Sequence, residues 1–201
     1  VPLSISSEGC NINPKSNECT ITIEEAPKYY VMSYAAMAIK NGESQTGDYY
    51  SFGKTTDGNY TIILSDGMGS GPEASDQSRA TVNLVEHLTD AGFAEDITVN
   101  TVNSIMGMKF AENEKFATLD LIKINLYNGR TSFIKIGASP SFIKRKDSVQ
   151  KIVSNNLPFG IVDEVDVEVI EEELKPGDMI ISMSDGICLL YTSPSPRDRQ
   201  K

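Results

Sequence analysis

Two aspartates, Asp66 and Asp185, each follow an apolar run and precede a glycine. The first lies in YTIILSDGMGSG and the second in GDMIISMSDGI. Apolar and β-branched runs of this length are typical of buried strands, and glycine then allows the backbone to turn at once. The sequence therefore predicts a sheet in which two strands deliver carboxylates to an edge.

A third aspartate of this kind, Asp48, follows a glycine in QTGDYYSFG. Mg²⁺ and Mn²⁺ prefer oxygen ligands, so three such carboxylates can form a metal site without histidine or cysteine. Two ions held about 4 Å apart would activate a water for phosphoryl hydrolysis. Asp-Gly and Gly-Asp pairs are also common in ordinary turns, and the spacing alone leaves both interpretations open. The single histidine, His87, is expected on the surface of a helix.

The charge of the chain excludes several classes of function. A net charge of −10 over 201 residues opposes binding to nucleic acid or docking on an anionic membrane surface. The length suits one domain with its own core, and no apolar run is long enough to span a bilayer. The three cysteines are expected to be free thiols of a cytoplasmic protein rather than a disulfide framework.

The first part of the chain is predicted to contain two strands. Residues 1–27 are polar and turn-rich, and we interpret them as a lead-in from a longer parent protein. Residues 28–40 alternate loosely and are predicted to form a strand, although their alanines leave a helix open. Two glycine-bearing loops then precede a second strand that ends at Ser65.

Two helices are predicted next, because the apolar residues change to helical spacing after Gly71. Gly92 is expected to end the first helix, and Asp96 is expected to cap the second. The inner face of the first helix is predicted to comprise Ala80, Leu84, Val85, Leu88 and Ala91. The inner face of the second is predicted to comprise Ile97, Val102, Ile105 and Met106.

The remainder is predicted to be an antiparallel meander. Asn128-Gly129 is a strong hairpin signal, because both residues tolerate positive φ. In DEVDVEVIEEEL, Asp166 and Glu168 share one face of a strand, which is interpreted as solvated rather than metal-binding. These elements predict an α+β sandwich over residues 28–187. Residues 188–201 change abruptly to serine, proline and arginine and are expected to be a disordered or non-native tail.

The order of the motifs resembles one family. The loop around Asp48, SDGMGSG, the helix pair, ATLDLIKINLYNGRTSFIKIGASPSFIKR, NLPFGI and LKPGDMIISMSDGI occur in the order found in the phosphatase domains of the stage II sporulation protein E family. That family belongs to the metal-dependent PPM-type serine/threonine phosphatases. The resemblance covers roughly residues 31–187.

The resemblance implies a four-layer α-β-β-α sandwich of two antiparallel sheets with two Mn²⁺ or Mg²⁺ ions at one edge. Asp48, Asp66 and Asp185 match metal-binding aspartates, and Gly67 matches a glycine that binds metal through its carbonyl. A metal-bridging water would be the nucleophile, so no catalytic side chain is expected. The implied substrate is a phosphorylated anti-sigma-factor antagonist that controls a sporulation sigma factor. The helix pair, residues 73–109, corresponds to the family's regulatory switch.

The chain also departs from the family pattern. After Ile187 the family continues to a paired-aspartate motif with a further metal ligand, and this sequence has no such motif. We therefore interpret the domain as C-terminally truncated and expect this chain to be weakly active or inactive, since hydrolysis needs both ions held in place. No counterpart of a phosphate-binding arginine is evident, since Arg79 is expected on a helix and Arg130 and Arg145 are expected in strands. Ser139-Pro140 and Pro158-Phe159-Gly160 are interpreted as structural turns, and a role in shaping the substrate-facing edge stays open as the alternative.

Two other functions remain open at this point. A catalytically dead relative would bind the antagonist without hydrolysing its phosphoserine, and an acidic structural domain would bind no metal at all. A homodimer is also open. Membrane attachment is expected only through a region of a bacterial parent that precedes Val1.

Overall fold

The computed structural model describes residues 3–13, 18–39, 42–110 and 116–187. Within these residues the chain forms ten strands and two helices. The strands are β1 (Leu3–Asn13), β2 (Glu18–Glu25), β3 (Asp48–Lys54), β4 (Asn59–Asp66), β5 (Leu119–Asn125), β6 (Arg130–Ile136), β7 (Ser141–Lys144), β8 (Val149–Ile152), β9 (Val169–Glu173) and β10 (Met179–Ile181). The helices are α1 (Pro72–Asp90) and α2 (Glu95–Phe110). The predicted tail, residues 188–201, lies outside the described residues.

The strands form two main antiparallel sheets and one separate hairpin. The larger sheet has the order β3-β4-β5-β6-β9, and the smaller has the order β10-β7-β8. Among the described strands, β1 and β2 pair only with each other. Within the described residues the layers run from the two helices to the five-stranded sheet and then to the three-stranded sheet. The predicted α+β sandwich of antiparallel sheets is confirmed.

Side-chain alternation along β5 places the two cores. Leu119 and Leu121 belong to the core between the sheet and the helices, whereas Ile122 and Ile124 belong to the core between the two sheets. Successive residues of a strand point to opposite faces, so a strand with both faces covered is apolar at nearly every position. Asp120 interrupts this apolar run and lies on the face turned to the smaller sheet.

Helix α1 follows the prediction at its end and departs from it on part of its inner face. Gly92 has a φ of 80° directly after the C-cap Ala91, so it ends the helix as predicted. Val85 is buried, and Ala80, Leu84 and Leu88 pack partly buried against the same core, as predicted. Ala91 is exposed instead, and the fully buried positions also include small and polar side chains and Val82. Because α1 packs closely on β3 and β4, small side chains suit that face.

Helix α2 begins two residues earlier than predicted, since an N-cap at Asp96 would make Ile97 its first residue. Its first residue is Glu95, so Asp96 lies in the first turn and does not cap the helix. Ile97, predicted to be inward, is 50% exposed, whereas Val102 and Met106 are buried as predicted. Val99 takes the inner position that was assigned to Ile97.

The strand predicted over residues 28–40 is wrong. Residues 29–39 have no regular structure, and residue 40 lies outside the described range. Tyr29 and Val31 pack against the core between the sheets, while Tyr30 and Tyr34 are exposed. Partly buried and exposed side chains do alternate here, and the backbone N–H of Tyr29 donates to Leu126 O. However, no described strand continues this pairing, so the segment does not become a strand.

Three strands were not predicted as such. Residues 48–54, interpreted as loop, form β3 and pair with β4 along their whole length. The described part of residues 1–27 contains the β1-β2 hairpin.

The acidic strand is shorter than its alternation suggests, since β9 begins only at Val169. Asp166 and Glu168 precede it and are exposed, as expected.

Among the described residues, no helix is long and apolar enough to cross a bilayer.

Candidate metal centre

Asp48 and Asp66 meet across the first two strands of the large sheet. Asp48 is the first residue of β3, Asp66 is the last residue of β4, and the two are direct cross-strand partners. The backbone of Asp66 is held from its other side by Thr118, whose Oγ1 accepts the Asp66 N–H at 2.9 Å. Thr118 N donates to the Asp66 carbonyl, also at 2.9 Å. The two carboxylates therefore stand on a well-paired part of the sheet.

Gly67 allows helix α1 to approach the end of β4. A Cβ atom at this position would lie 2.0 Å from the carbonyl oxygen of Ala74, so no larger residue fits there. Gly67 N donates to the Gly47 carbonyl at 3.2 Å. The next residue, Met68, donates its N–H to Phe116 O and to Gln77 Oε1. The predicted metal-binding carbonyl thus belongs to a fixed backbone segment.

Asp185 reaches the same place from the smaller sheet. Strand β10 ends at Ile181, and the chain continues to Ser184, whose Oγ donates to Asp48 Oδ2 at 2.8 Å. Asp185 itself interacts with Asp66 through its charge and a carboxyl hydrogen bond. The three aspartates predicted from the sequence are therefore brought together, from β3, from β4 and from the segment after β10.

The electrostatics of Asp66 reflect this crowding. Burial, followed by the negative charges of Asp48 and Asp185 and hydrogen bonds to both, raises the pKa of Asp66 to about 8. Burial first, and then the two neighbouring negative charges, disfavour the ionised form of Asp66, so this carboxyl group holds its proton. A cation placed among the three groups would reverse that preference.

The geometry of the three side chains differs from that of a coordinated ion. Within the described residues, no group of three or more His, Cys, Asp or Glu side chains is arranged to hold a metal. The donor set, oxygen only and rich in negative charge, fits a hard divalent cation.

A cavity of about 50 Å³ borders the aspartates on the side between the sheets. Asp66 and Asp185 contribute to its lining, together with Thr118, Ser184 and Asp120. Pockets that enclose small molecules have volumes of roughly 300–1,000 Å³. This cavity therefore has room for ordered water but not for an enclosed small-molecule substrate.

Asp120 and Lys135 are residues that the sequence analysis missed. They are cross-strand partners on β5 and β6, and their Oδ2 and Nζ atoms lie 2.8 Å apart with both side chains buried. The signal was present in the sequence, since each residue interrupts an apolar run on its own side of the Asn128-Gly129 turn. Burial lowers the pKa of Lys135, and the Asp120 carboxylate opposes that effect.

Most of the other candidates lie where the sequence analysis expected them. Phe159 is fully buried and donates its N–H to Ala117 O, in accord with a structural turn. Arg79 pairs with Asp76 on α1, whereas Arg145, expected in a strand, directly follows β7 and pairs with Glu172 and Asp178. His87 is exposed on the last turn of α1.

The structural class of the protein follows from its similarity to a solved structure. The structure of the PP2C phosphatase domain and a fragment of the regulatory domain of SpoIIE from Bacillus subtilis matches with a TM-score of 0.80 at 36% identity, covering 98% of this chain and 58% of that chain. The antiparallel sandwich with aspartates at its edge is therefore that of the PP2C-type, or PPM-type, serine/threonine phosphatases.

The particular family follows from the sequence. The family model for stage II sporulation protein E (SpoIIE) matches residues 56–189, and this chain belongs to that family. Stage II sporulation protein E of Bacillus subtilis is 44% identical over 159 residues, which is 79% of this chain and 19% of the relative. Phosphoserine phosphatase RsbU of the same organism is 21% identical over 170 residues, which is 84% of this chain and 50% of the relative. The chain thus spans only a part of the length of these curated relatives.

Proposed function

We propose that this chain is a metal-dependent protein serine phosphatase domain that hydrolyses phosphoserine on an anti-sigma-factor antagonist. The observation that carries the proposal is the convergence of Asp48, Asp66 and Asp185 at one sheet edge. Membership of the SpoIIE family and the similarity to a phosphoserine phosphatase support the same chemistry.

In this proposal Asp48, Asp66 and Asp185 hold Mn²⁺ or Mg²⁺, and Gly67 contributes its carbonyl oxygen. When bound, two such ions supply an activated water and neutralise the charge of the phosphoryl group. The chain's own contribution is to fix the ligands. Pairing of β3 with β4 sets the first two carboxylates opposite each other, and Ser184 restrains Asp48 through its hydrogen bond.

A protein substrate suits the shape of the site better than a small molecule. The cavity beside the aspartates is about 50 Å³ and cannot enclose a metabolite. A phosphoserine side chain presented by another protein needs only its phosphoryl group to reach the sheet edge. The acidic character of the chain, with a net charge of −10, makes bound cations necessary for attracting a phosphate.

The cellular setting forms part of the proposal. We propose a cytoplasmic setting, which is what the family resemblance implies; the chain matches 19% of the length of the Bacillus subtilis relative. In this setting the α1-α2 pair would act as the regulatory switch, since α1 packs on β3 and β4, the strands that carry Asp48 and Asp66.

Phosphate release from a phosphoserine-containing antagonist protein tests the proposal. With Mn²⁺ present, the chain should release phosphate only slowly, because this sequence has no paired-aspartate motif to supply the further metal ligand, and Asp66→Asn should lower the remaining rate about 100-fold because a bound ion loses a charged ligand. The matched control is Asp166→Asn, which removes an exposed carboxylate of the acidic strand region and should leave the rate unchanged. Equal rates for the parent chain and Asp66→Asn would contradict the proposal.

A binding module without catalysis is the second candidate. The observation that favours it is that no described group of three acidic or other ligating side chains is arranged around a metal position. A catalytically dead domain would bind the phosphorylated antagonist and release no phosphate at any Mn²⁺ concentration. The same experiment, with binding measured in parallel, separates the two candidates.

A further inference from the structure

The buried pair Asp120–Lys135 connects the two sheets next to the candidate metal centre. Asp120 is 2% exposed and Lys135 is 1% exposed, and both side chains point into the space between the sheets. We call this pair the ionic clamp. Lys135 Nζ also donates to Ser139 O at 2.7 Å, so the ammonium group contacts both β5 and the loop after β6.

Asp120 uses one carboxylate oxygen for contacts with the smaller sheet. Its Oδ2 accepts hydrogen bonds from Ser141 Oγ at 2.6 Å and from Ser182 Oγ. Ser141 begins β7, and Ser182 is the first residue after β10. A single oxygen on the large sheet therefore anchors two strands of the small one.

Ser182 begins the segment that carries the third aspartate. From Ser182 the chain runs through Ser184, which donates to Asp48, to Asp185, which interacts with Asp66. Asp120, Asp66 and Asp185 border the same cavity of about 50 Å³. Asp120 Oδ1 is buried with no hydrogen-bond partner among the described residues, and the cavity has room for a water that donates to it.

Stability alone does not explain this arrangement. Burying an ion pair removes both charges from water, and a pair of well-packed apolar side chains at the same place is often as stable or more stable. The surrounding core between the sheets is apolar and includes Phe133, Ile143 and Ile152. What the charged pair adds is structural specificity, since its hydrogen bonds fix which serines of the small sheet lie against the large sheet.

We propose that the ionic clamp positions the Ser182–Asp185 segment, and with it the carboxylate of Asp185, against Asp48 and Asp66. Asp120 and Lys135 are thus positioning residues for the candidate metal centre. The inference deepens the proposed function and rests on it for the role of Asp185. The positioning of the segment by the clamp does not depend on a bound metal, so it can be tested on the metal-free chain.

Hydrogen exchange of the metal-free chain tests the positioning directly. Ser182→Ala removes the link between Asp120 and the segment, and the backbone amides of residues 182–187 should exchange about 10-fold faster, as expected for loss of a hydrogen bond to a charged group. The matched control is Ser132→Ala, which alters a half-buried serine on β6 whose side chain makes no hydrogen bond to a described residue. Equal exchange in the two variants would overturn the inference.

A double variant separates positioning from stability. Asp120→Leu with Lys135→Met replaces the clamp by apolar side chains, so the melting temperature should stay equal or rise while residues 182–187 exchange faster. The control Lys123→Met removes a partly exposed lysine on the other face of β5 that pairs with Asp57 and Glu95. If the double variant keeps the exchange rates of the parent chain, the clamp does not position the segment.

Calorimetric titration with Mn²⁺ links the clamp to the metal centre. Ser182→Ala should bind Mn²⁺ about 10-fold more weakly than the parent chain, as is typical when a partner that orients a ligand is lost. Parent and Ser182→Ala chains that bind Mn²⁺ equally would overturn the link. A parent chain that takes up no Mn²⁺ would instead contradict the proposed function, and the exchange rates would still decide the clamp.

Discussion

Asp66 and Asp185 end similar sequence motifs, yet the fold holds them by different means. Asp66 completes β4, an eight-residue strand paired on both sides, and its backbone makes two further hydrogen bonds to Thr118. Asp185 lies four residues beyond β10, a three-residue strand that pairs with β7 alone among the described strands. One carboxylate is placed by the main chain, and the other is placed by side chains.

The difference shows how one site combines a fixed half with an adjustable half. Backbone pairing leaves Asp48 and Asp66 little freedom, because moving either one breaks the ladder between β3 and β4. The position of Asp185 depends on Ser182 and Ser184, each through one side-chain hydrogen bond to an aspartate. We expect perturbations on the Asp66 side to affect folding and those on the Asp185 side to affect the site alone.

Gly67→Ala should give the largest effect. The new Cβ would lie 2.0 Å from the Ala74 carbonyl oxygen, and the clashing atoms are helix backbone that cannot rotate away, so we expect a loss of about 3 kcal/mol in the free energy of unfolding. Urea denaturation measures it. Gly53→Ala is the control, because nothing described lies within 4 Å of a Cβ at that position of β3. A near-neutral Gly67→Ala would show that the Asp66 side is not rigid.

The pH dependence of the metal-free chain should come next. The pKa of Asp66 is about 8, against 3.8 for an ordinary aspartate, so the folded chain binds more protons than the unfolded chain between these values. The stability contributed by protonated Asp66 is complete below pH 3.8 and is lost as the pH rises through about 8. Thermal melting across this range should show the fall, and Asp66→Asn should flatten it.

Saturating Mn²⁺ should reverse that trend. Metal binding requires deprotonated carboxylates, so stabilisation by Mn²⁺ should grow as the pH rises towards about 8. A melting temperature that responds to Mn²⁺ equally at about pH 5 and about pH 8 would argue against a site built on Asp66.

Thr118→Val should have a smaller effect, again on the Asp66 side. The substitution keeps the shape of the side chain and removes the oxygen that accepts the Asp66 N–H, so we expect a loss of about 1 kcal/mol. Thr61→Val is a suitable control, since Thr61 Oγ1 makes a long hydrogen bond, 3.4 Å, to Gly53 O. Equal losses from both substitutions would remove the special role of Thr118.

Ser184→Ala should have the smallest effect on stability. Ser184 lies outside the paired strands, so the free energy of unfolding should change by no more than about 0.5 kcal/mol. Mn²⁺ affinity measured on the same protein should fall, because Asp48 loses its side-chain donor. A stability loss as large as that of Gly67→Ala would erase the distinction between the two halves of the site.

Local sequence patterns predicted the elements whose signals are local. The helix ending at Gly92 and the hairpin at Asn128-Gly129 depend on backbone conformations that nearby residues favour or exclude. The same patterns misled where pairing decides. Residues 28–40 alternate like a strand but have no described strand beside them, whereas β3 looks like loop and becomes a strand because β4 provides a full partner.

The sequence by itself determined the chemistry of the site: aspartates after apolar runs, with glycine at each turn. Their convergence was implied by family resemblance, but the way they are held was decided only by the tertiary structure. Asp120 and Lys135 lie on different strands and become partners only through the register of β5 with β6. Ser182, 62 residues after Asp120, joins them only when the two sheets pack. Contacts between distant residues depend on packing geometry, which no local pattern in the chain encodes.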